Sequence, residues 1–327
     1  LRGREFLWNE GHTCFASQKE ALAEQEEIIS IYDEVCRNYL ALPSLIGKKS
    51  EGEKFAGAEY TVSLEFLMPN GKGIQGPDFH HDGQNFAKVF NITFANKTGQ
   101  QEHVWQNTFA ITTRMLGVLF AIHSDDKGLV LPPMLAPVQA VIIPILFGDS
   151  KEKILLEAEK LKKKLEKSGI LVYLDNRESY SSGWKFSEWE MKGIPIRIEL
   201  GPRDLAKKQI VVVRRDTGEK QSLSILTADK KLASLLKQIQ ADLYAKAEKS
   251  LKKSIVKVDA LAGSEKELDA KKILFAPWCN SAECEELIKE KTGAKSLNSP
   301  LKQPAVTGKC FACDKKAKAW FYFGRSY

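Results

Sequence analysis

The chain has 327 residues, of which 43% are hydrophobic, and its formal net charge at pH 7 is +7. This length exceeds one ordinary domain, so we expect two or three. No apolar run approaches the roughly 20 residues that a membrane span requires, and the first residues lack the pattern of a secretory signal, so we expect no membrane association. The positive charge is compatible with a polyanionic partner such as RNA, although many proteins without such a partner share it.

The first predicted element is a half-buried strand within residues 1–13, where charged residues alternate with large apolar ones. Trp8, Glu10 and His12 are two residues apart, so they project from one face of that strand. An aromatic ring, a carboxylate and an imidazole could form a small pocket for a compact cationic ligand. A polar sheet face with one packed Trp explains the same pattern. Residues 17–40 then predict an amphipathic helix that begins with a capping box.

Two alternating segments, 59–68 and 72–79, flank Asn70-Gly71 and predict a β-hairpin. A turn or short helix is expected next, over residues 80–88. It begins with the pair His80-His81. Adjacent histidines point to different sides of most backbones, so this pair is only a weak indication of a metal site.

The stretch 106–123 begins as an alternating strand and becomes almost continuously apolar from Met115, which indicates a buried helix. Thr112 and Thr113 stand where an N-cap would begin that helix, and Arg114 falls in its first turn. The helix dipole disfavours a cation there. A bound anion such as phosphate would favour it, because helix N-termini and guanidinium groups both bind phosphate. An Arg that caps a carbonyl or pairs with a carboxylate explains the position equally well.

A proline-rich segment, 131–137, marks a domain boundary. Beyond it, a continuous apolar strand at 138–147, a basic amphipathic helix at 151–167 and a strand at 170–174 follow one another. This order predicts a βαβ unit and therefore an α/β domain, which we place at 138–254.

Residues 175–204 interleave Arg and Lys with aromatic side chains. This composition suits the splayed bases of single-stranded RNA, where stacking contributes about 1–3 kcal/mol per base. A solvated loop with its Trp side chains buried in the core is the alternative. A lysine-rich helix over 228–254 ends this domain.

Four of the six cysteines form two close pairs late in the chain: Cys279, Cys284, Cys310 and Cys313. The spacing suits a closed tetrahedral zinc site, with reduced cysteines or a disulfide pair as alternatives. Clustered cysteines in a chain without a secretion signal favour metal binding and a reducing, cytoplasmic compartment. We therefore predict structural Zn²⁺ in a small domain at 255–327.

Several of these motifs resemble one family. Thr112-Thr113-Arg114, the apolar helix and the run from Gly128 to Pro133 resemble motif 3 of class II aminoacyl-tRNA synthetases. The opening is similar to motif 2 of prolyl-tRNA synthetases of the archaeal and eukaryotic type, which reads close to R-T-R-E-F-L-W-x-E-G-H. The ending Phe323-Gly324-Arg325-Ser326-Tyr327 also resembles that family, in which the final Tyr reaches back toward the catalytic domain. The whole chain thus resembles the C-terminal portion of such an enzyme, from motif 2 onward.

The resemblance implies a fold in three parts. The first is an incomplete class II catalytic core, an α+β unit on an antiparallel sheet, at 1–137. An α/β anticodon-binding domain at 138–254 and a small zinc-binding α+β domain at 255–327 follow. Motif 1 and the first strand of motif 2 would lie upstream of these residues, so we expect this portion alone to be poorly active or inactive.

The resemblance also assigns site residues. ATP contacts would come from Arg2, Gly3, Gln75, Asp78, Thr112, Thr113 and Arg114. The proline site would be formed by Trp8, Glu10, His12, Phe66 and His80. Anticodon contacts would come from Arg177, Lys185, Glu190 and Arg203. Arg114 and Gln75 would act in catalysis, with Mg²⁺ held at Gln75.

The family reaction joins proline to ATP as prolyl-adenylate and then transfers the prolyl group to tRNA(Pro). The implied partners are tRNA(Pro), L-proline and a second copy of the chain in a homodimer. Two departures keep an alternative open, a non-catalytic paralogue that binds tRNA or protein partners. Gly3 stands where the family commonly has Thr, and Asp78 replaces a Thr that helps to hold the nucleotide. A carboxylate near polyphosphate is unfavourable unless Mg²⁺ or Arg intervenes.

Overall fold

The computed structural model describes residues 1, 3–146, 148–313 and 315–327. These residues divide into two units. Unit 1 comprises Leu1–Cys36, Leu42–Ala121 and Glu248–Tyr327, and unit 2 comprises Arg37–Ala41 and Ile122–Ala247. Within the described ranges, no helix combines the length and apolar character needed to cross a bilayer.

The amino-terminal part of the chain is dominated by an antiparallel sheet. In chain order its elements are β1 (Trp8–Phe15), α1 (Gln18–Glu34), β2 (Leu45–Lys48), β3 (Tyr60–Leu67), β4 (Gly73–Gly83), α2 (Asn85–Phe90), β5 (Thr93–Ala95), β6 (Gln101–His103), β7 (Trp105–Thr112) and α3 (Arg114–His123). Strands β1, β7, β4, β3 and β2 lie side by side in that order, and β5 pairs with β6 separately. A π-helical turn, Val35–Tyr39, continues α1.

Helix α1 begins as the sequence predicts and covers one face of this sheet. Ser17 is its N-cap, and both hydrogen bonds of the capping box with Glu20 are present. On the covered face, Phe109 of β7 lies directly over Gly11 of β1. A Cβ atom at Gly11 would lie 2.1 Å from the Phe109 ring, so this close packing requires glycine.

The predicted turn at His80 is wrong, because β4 continues as a strand to Gly83. Its backbone stays paired with β7 through His80 and His81, and the register shifts only between His81 and Gly83. The ladder to β7 satisfies backbone groups that a turn would have left to solvent. The short helix expected in this region follows as α2.

Unit 2 contains a mixed sheet. Its elements are β8 (Ala140–Pro144), α4 (Lys151–Lys167), β9 (Val172–Leu174), α5 (Ser182–Met191), β10 (Ile196–Leu200), α6 (Pro202–Ala206), β11 (Gln209–Arg214), β12 (Lys220–Ser224) and the start of α7 (Ala228–Ser254). Strands β9, β8 and β10 are parallel, which confirms the predicted βαβ unit, and β11 and β12 add antiparallel strands.

Strand β8 reads as a continuous apolar run because both of its faces are covered. Ile142 packs with Ile154 of α4 in one cluster, whereas Val141 packs with Trp189 of α5 in another. Successive strand residues point to opposite faces, so helices on both sides make every position apolar. This is the reason that α/β strands lack the alternation seen in β1.

The carboxyl-terminal part of unit 1 is a small α+β region. Its elements after α7 are β13 (Ile255–Lys257), α8 (Ser264–Asp269), β14 (Ile273–Trp278), α9 (Ala282–Thr292), β15 (Lys295–Ser296), β16 (Ser299–Pro300) and β17 (Ala319–Gly324). Strands β13, β14, β17 and β15 form one sheet, whereas β16 pairs with β2. Antiparallel-sheet, α/β and small α+β regions therefore follow one another, and the predicted fold class is confirmed.

Candidate active site

One face of the unit 1 sheet carries a polar row across three strands. The register of β7 with its two neighbours aligns two sets of residues, Glu10 with Ala110 and Asp78, and His12 with Thr108 and His80. Aligned residues of neighbouring strands project to the same side of a sheet. Helix α1 lies on the opposite side, where it accepts a 2.8 Å hydrogen bond from the Asn107 side chain at the Ala21 carbonyl.

On β1, the row brings together the three residues predicted to share a face. The Glu10 carboxylate (Oε2) lies 3.2 Å from His12 Nε2, and His12 Nδ1 lies 3.4 Å from the Thr108 hydroxyl. The Trp8 ring is 60% exposed. An accessible aromatic surface therefore adjoins a carboxylate and an imidazole.

On β4, the row is more deeply buried. His80 Nε2 lies 3.5 Å from Asp78 Oδ1, and His80 Nδ1 lies 2.8 Å from the Thr61 hydroxyl. Burial raises the pKa of Asp78 to about 7 and lowers the pKa of His80 to about 4. Burial thus disfavours the charged form of both groups. Asp78 Oδ2 also accepts a 2.5 Å hydrogen bond from Gln75 Nε2.

Arg114 begins α3 at the end of β7. The Thr112 hydroxyl accepts a 3.2 Å hydrogen bond from the Arg114 backbone N–H, and Arg114 Nη1 donates to the Gln75 carbonyl at 3.2 Å. One nitrogen of the Arg114 guanidinium, Nη1, therefore caps a carbonyl, as one of the two interpretations of this position predicts. Arg114 Nε is buried without a hydrogen-bond partner among the described residues. The guanidinium carbon also lies 5.3 Å from the centre of the Phe6 ring.

Arg114 and Gln75 line a cavity of about 220 Å³. Lys49 and Glu65 line it as well and form a buried pair, with Nζ 3.0 Å from Oε1. Lys295 Nζ is likewise 3.0 Å from Glu53 Oε1. Both lysines thus have carboxylate partners, whereas Arg114 forms no salt bridge with a described carboxylate and interacts with Asp78 only at longer range.

The other residues predicted for this site differ in exposure. Phe66 is 1% exposed, and the Phe66 ring and Met115 together fill the space over Gly76. Gly3 and Thr113 are exposed at the surface. Arg2 lies outside the described residues.

In unit 2, Arg177 is fixed by two carboxylates and two rings. It forms a bidentate pair with the fully buried Asp175 at 2.7 and 2.9 Å and also pairs with Glu188. Its guanidinium carbon lies 5.0 Å from the centre of Tyr180 and 5.5 Å from that of Trp184. These two rings stack at 3.9 Å and are 42% and 45% exposed.

The other three predicted anticodon residues differ in accessibility. Lys185 is 3% exposed and donates to the Asp175 carbonyl at 3.1 Å. Glu190 Oε1 lies 3.1 Å from Lys127 Nζ. Arg203 lies at the surface on α6. The structure thus gathers Arg177 and Lys185 around Asp175 and leaves Arg203 exposed.

The four late cysteines converge, as their spacing predicts. Their sulfur atoms lie within 4.8 Å of one another. Cys284 is 3.6 Å from Cys310, and Cys279 is 3.8 Å from Cys313. A disulfide would need about 2.05 Å, whereas a tetrahedral zinc with bonds of about 2.3 Å spaces its sulfurs about 3.8 Å apart. The cluster fits a metal ion.

Three family models match the chain in sequence order. Residues 1–123 match "tRNA synthetase class II core domain (G, H, P, S and T)". Residues 139–235 match "Anticodon binding domain", and residues 264–327 match "Prolyl-tRNA synthetase, C-terminal".

Relatives match over the entire chain. It is 42% identical to a proline–tRNA ligase of Clostridium botulinum, of which it covers 68%. The chain belongs to the prolyl-tRNA synthetase family. It is also 44% identical to the cytoplasmic proline–tRNA ligase of Arabidopsis thaliana and 42% identical to a bifunctional glutamate/proline–tRNA ligase of Drosophila melanogaster. It spans 63% of the plant relative's length and 20% of the fly relative's.

Sequence reasoning missed several polar residues around the sites of this prolyl-tRNA synthetase family member. No sequence motif singles out Lys49, yet it is 8% exposed and pairs with Glu65. Thr108 and Asp175 were given no role, although Thr108 contacts His12 and Asp175 holds Arg177. Alternation within β7 could have placed Thr108 on the face of Thr112. No local pattern marks Lys49, because its partner Glu65 lies 16 residues away in the chain. The burial of Asp175 likewise depends on side chains farther along the chain, such as Trp189.

Proposed function

We propose that the protein that contains this chain is a prolyl-tRNA synthetase, which activates L-proline with ATP and transfers it to tRNA(Pro). The observation that carries this proposal is the convergence of Arg114 and Gln75 in one cavity beside the polar row. Among the described residues, the buried Nε–H of Arg114 has no hydrogen-bond partner and its guanidinium forms no salt bridge. An ATP phosphate would supply both the acceptor and the charge.

Activation requires the proline carboxylate to attack the α-phosphate of ATP, with pyrophosphate leaving. Such chemistry depends on positioning and on neutralising phosphate charge more than on a protein base. We assign charge neutralisation to Arg114 and nucleotide positioning to Gln75. Arg2, Gly3, Thr112 and Thr113 would complete the nucleotide side.

We assign Mg²⁺ to Gln75, whose amide oxygen is the kind of ligand that hard cations prefer. When bound, the ion would neutralise phosphate charge. Asp78, which holds the Gln75 amide nitrogen, would orient that oxygen. The raised pKa of Asp78, about 7, lessens the repulsion expected between a carboxylate and polyphosphate at this position.

We place proline against Trp8, Glu10, His12 and His80, with Phe66 beneath. The exposed Trp8 ring suits the compact apolar ring of proline, and the Glu10 carboxylate suits its secondary ammonium. The lowered pKa of His80, about 4, keeps that imidazole neutral near pH 7. A neutral imidazole would hydrogen-bond the substrate without competing with Glu10 for charge.

We assign the anticodon of tRNA(Pro) to residues 138–254. The exposed Tyr180–Trp184 stack and the surface position of Arg203 support contacts with unstacked bases. Arg177, Lys185 and Glu190 complete this assignment, although Lys185 would act mainly by fixing Asp175. The three-part division at 137 and 254, a cytoplasmic location and a homodimer complete the proposal.

We propose that the cysteine cluster binds structural Zn²⁺. The sulfur spacing supports tetrahedral coordination, and the buried setting supports a closed site. Metal analysis of the purified protein should give one zinc per chain. Cys284→Ser should lower that number and the thermal stability of residues 255–327 together, because binding energy of a structural metal is folding energy. Wild-type protein with intact thiols and no bound metal would contradict the assignment.

Proline-dependent ATP–pyrophosphate exchange tests the catalytic proposal. The full-length protein should catalyse exchange with proline, and it should charge tRNA(Pro). Intact tRNA binding without exchange for any amino acid would favour the non-catalytic paralogue.

A further inference from the structure

The carboxyl-terminal region and the catalytic sheet share a strand and a buried side chain. Strand β16 pairs with β2, with Ser299 opposite Lys48. The Asn298 side chain donates to the carbonyls of Leu45 at 2.8 Å and Ser63 at 3.2 Å. Strand β16, which lies beyond α9 in the chain, is therefore the edge strand of the sheet that carries Gln75.

Glu285 makes a second connection, from the first turns of α9 to the residues after β2. Its Oε1 accepts hydrogen bonds from the hydroxyls of Ser50 at 2.8 Å and Ser296 at 2.5 Å. A Cβ atom at Gly52 would lie 2.6 Å from Glu285 Oε2, so this backbone packs closely against the end of the Glu285 side chain. The carboxylate thus fixes the segment that begins with Ser50.

Lys49, the neighbour of Ser50, carries the connection into the cavity. Lys49 Nζ lies 3.0 Å from Glu65 Oε1, and the two side chains are 5% and 2% exposed. Ser63 donates to the same oxygen at 2.8 Å. Glu65 is the register partner of Gln75. Because a buried charge is strongly unfavourable without its partner, displacement of Lys49 would move Glu65 and the strand beside Gln75.

We infer that Glu285 is a positioning residue for the active site, acting through Ser50, Lys49 and Glu65 on Gln75. This inference rests on the proposed function for its catalytic consequence. Its structural part does not depend on that function: a side chain of the carboxyl-terminal region stabilises β3 and β4 in their positions. Small misplacements of reacting groups lower rates steeply, so a residue remote from the substrate can control the rate in this way.

Three variants of the full-length protein test the inference. Glu285→Ala removes the acceptor of both hydroxyls, and Glu285→Gln keeps one oxygen in place. Glu286→Ala is the matched control, because Glu286 is exposed and pairs with Lys289 on the same helix. We expect Glu285→Ala to lower kcat for proline-dependent exchange about tenfold, with a smaller change in KM. Glu285→Gln should recover most of the loss, and Glu286→Ala should match the wild type.

Hydrogen–deuterium exchange over residues 45–83 provides a readout that does not depend on catalysis. Glu285→Ala should accelerate amide exchange in β2, β3 and β4, with metal content per chain unchanged. Ser50→Ala removes the same contact from the sheet side, far along the chain from the cysteines, and should act in the same direction. Its combination with Glu285→Ala should be no worse than Glu285→Ala alone.

Two results would overturn the inference. One is wild-type amide protection of residues 45–83 in Glu285→Ala or in Ser50→Ala. The other is a wild-type kcat in both variants. A wild-type protein without exchange activity would instead contradict the proposed function, and the amide protection would still decide the role of Glu285.

Discussion

The polar row of the unit 1 sheet and the Asp175 cluster of unit 2 differ in the direction in which the pKa of a buried carboxyl is shifted. Asp175 is fully buried, yet its pKa lies well below the usual range, because hydrogen bonds from Arg177 and Trp189 outweigh its burial. Burial raises the pKa of Asp78 to about 7 and lowers the pKa of His80 to about 4, which favours the neutral form of each. Hydrogen bonds from protein partners therefore outweigh the cost of burial at Asp175, but they do not at Asp78.

The difference separates a carboxylate whose charge is balanced within the fold from groups that burial moves toward their neutral forms. Structural ion pairs and functional sites both perturb pKa values, so the direction of the shift is more informative than its presence. A compensated carboxylate such as Asp175 contributes to stability. The Nε of Arg114, which has no partner in the part of the chain that the structure describes, lowers stability unless something else binds there.

The largest effect should come from Arg114→Ala, which tests the uncompensated region. We expect proline-dependent exchange to fall about 10³-fold, the upper range for loss of one electrostatic contact to a reacting group. The melting temperature should change little, because Arg114 makes one hydrogen bond from its side chain, to the Gln75 carbonyl. Arg114→Lys should retain part of the activity. A large loss of stability with activity retained would reverse the comparison.

Asp175→Asn should give the opposite result. It removes the carboxylate that faces the buried Lys185 ammonium and holds Arg177, which keeps Glu188 as a second partner, so the free energy of unfolding should fall. Urea unfolding measures this loss. Exchange in the folded protein should be unaffected, because adenylate formation does not require tRNA. Asp216→Asn provides a comparison at another Arg–Asp pair of unit 2, where Arg214 likewise keeps a second carboxylate, that of Asp242.

The Asp175 cluster should also make unit 2 sensitive to acid. The folded pKa of Asp175 is depressed, so its stabilising contribution is present above the unfolded pKa of about 3.9 and is lost as pH falls below it. Stability measured from pH 5 down to pH 2.5 should decline less steeply in Asp175→Asn than in the wild type. Parallel slopes would show that Asp175 is not the group that titrates.

Thr61→Val should produce the smallest change and sharpen the contrast within the polar row. It removes the hydroxyl that lies 2.8 Å from His80 Nδ1 and should raise KM for proline a fewfold, because His80 loses its orientation. The KM for ATP should stay constant, since Thr61 does not line the Arg114 cavity. Equal changes in both constants would argue for a general distortion of the sheet.

Much of the fold follows from local patterns in the sequence. The alternation of β1 placed Glu10 and His12 on one face, and the unbroken apolar run of β8 indicated a strand covered on both sides. The capping box at Ser17 fixed the start of α1. These signals depend only on neighbours within a few residues, and for that reason they could be read directly.

The remaining features depend on partners that no local pattern encodes. The continuation of β4 through His80 is set by its ladder with β7, whose register is a tertiary property. The burial of Lys49 depends on Glu65 and on the arrival of Glu285 next to Ser50. The candidate site residues were predicted largely from the family resemblance. Which of their charged groups have protein partners became visible only in the fold.

The pairing of β16 with β2 has a consequence for synthesis on the ribosome. Strand β2 is made before β16, and its outer edge is covered by residues that follow about 250 positions later. At about 5–20 residues per second, that edge would stay open for roughly 10–50 s in each nascent chain. Open edges template pairing with other chains. A premature stop before Ser299 would therefore leave the amino-terminal sheet with a permanently exposed edge and make the truncated product prone to aggregate.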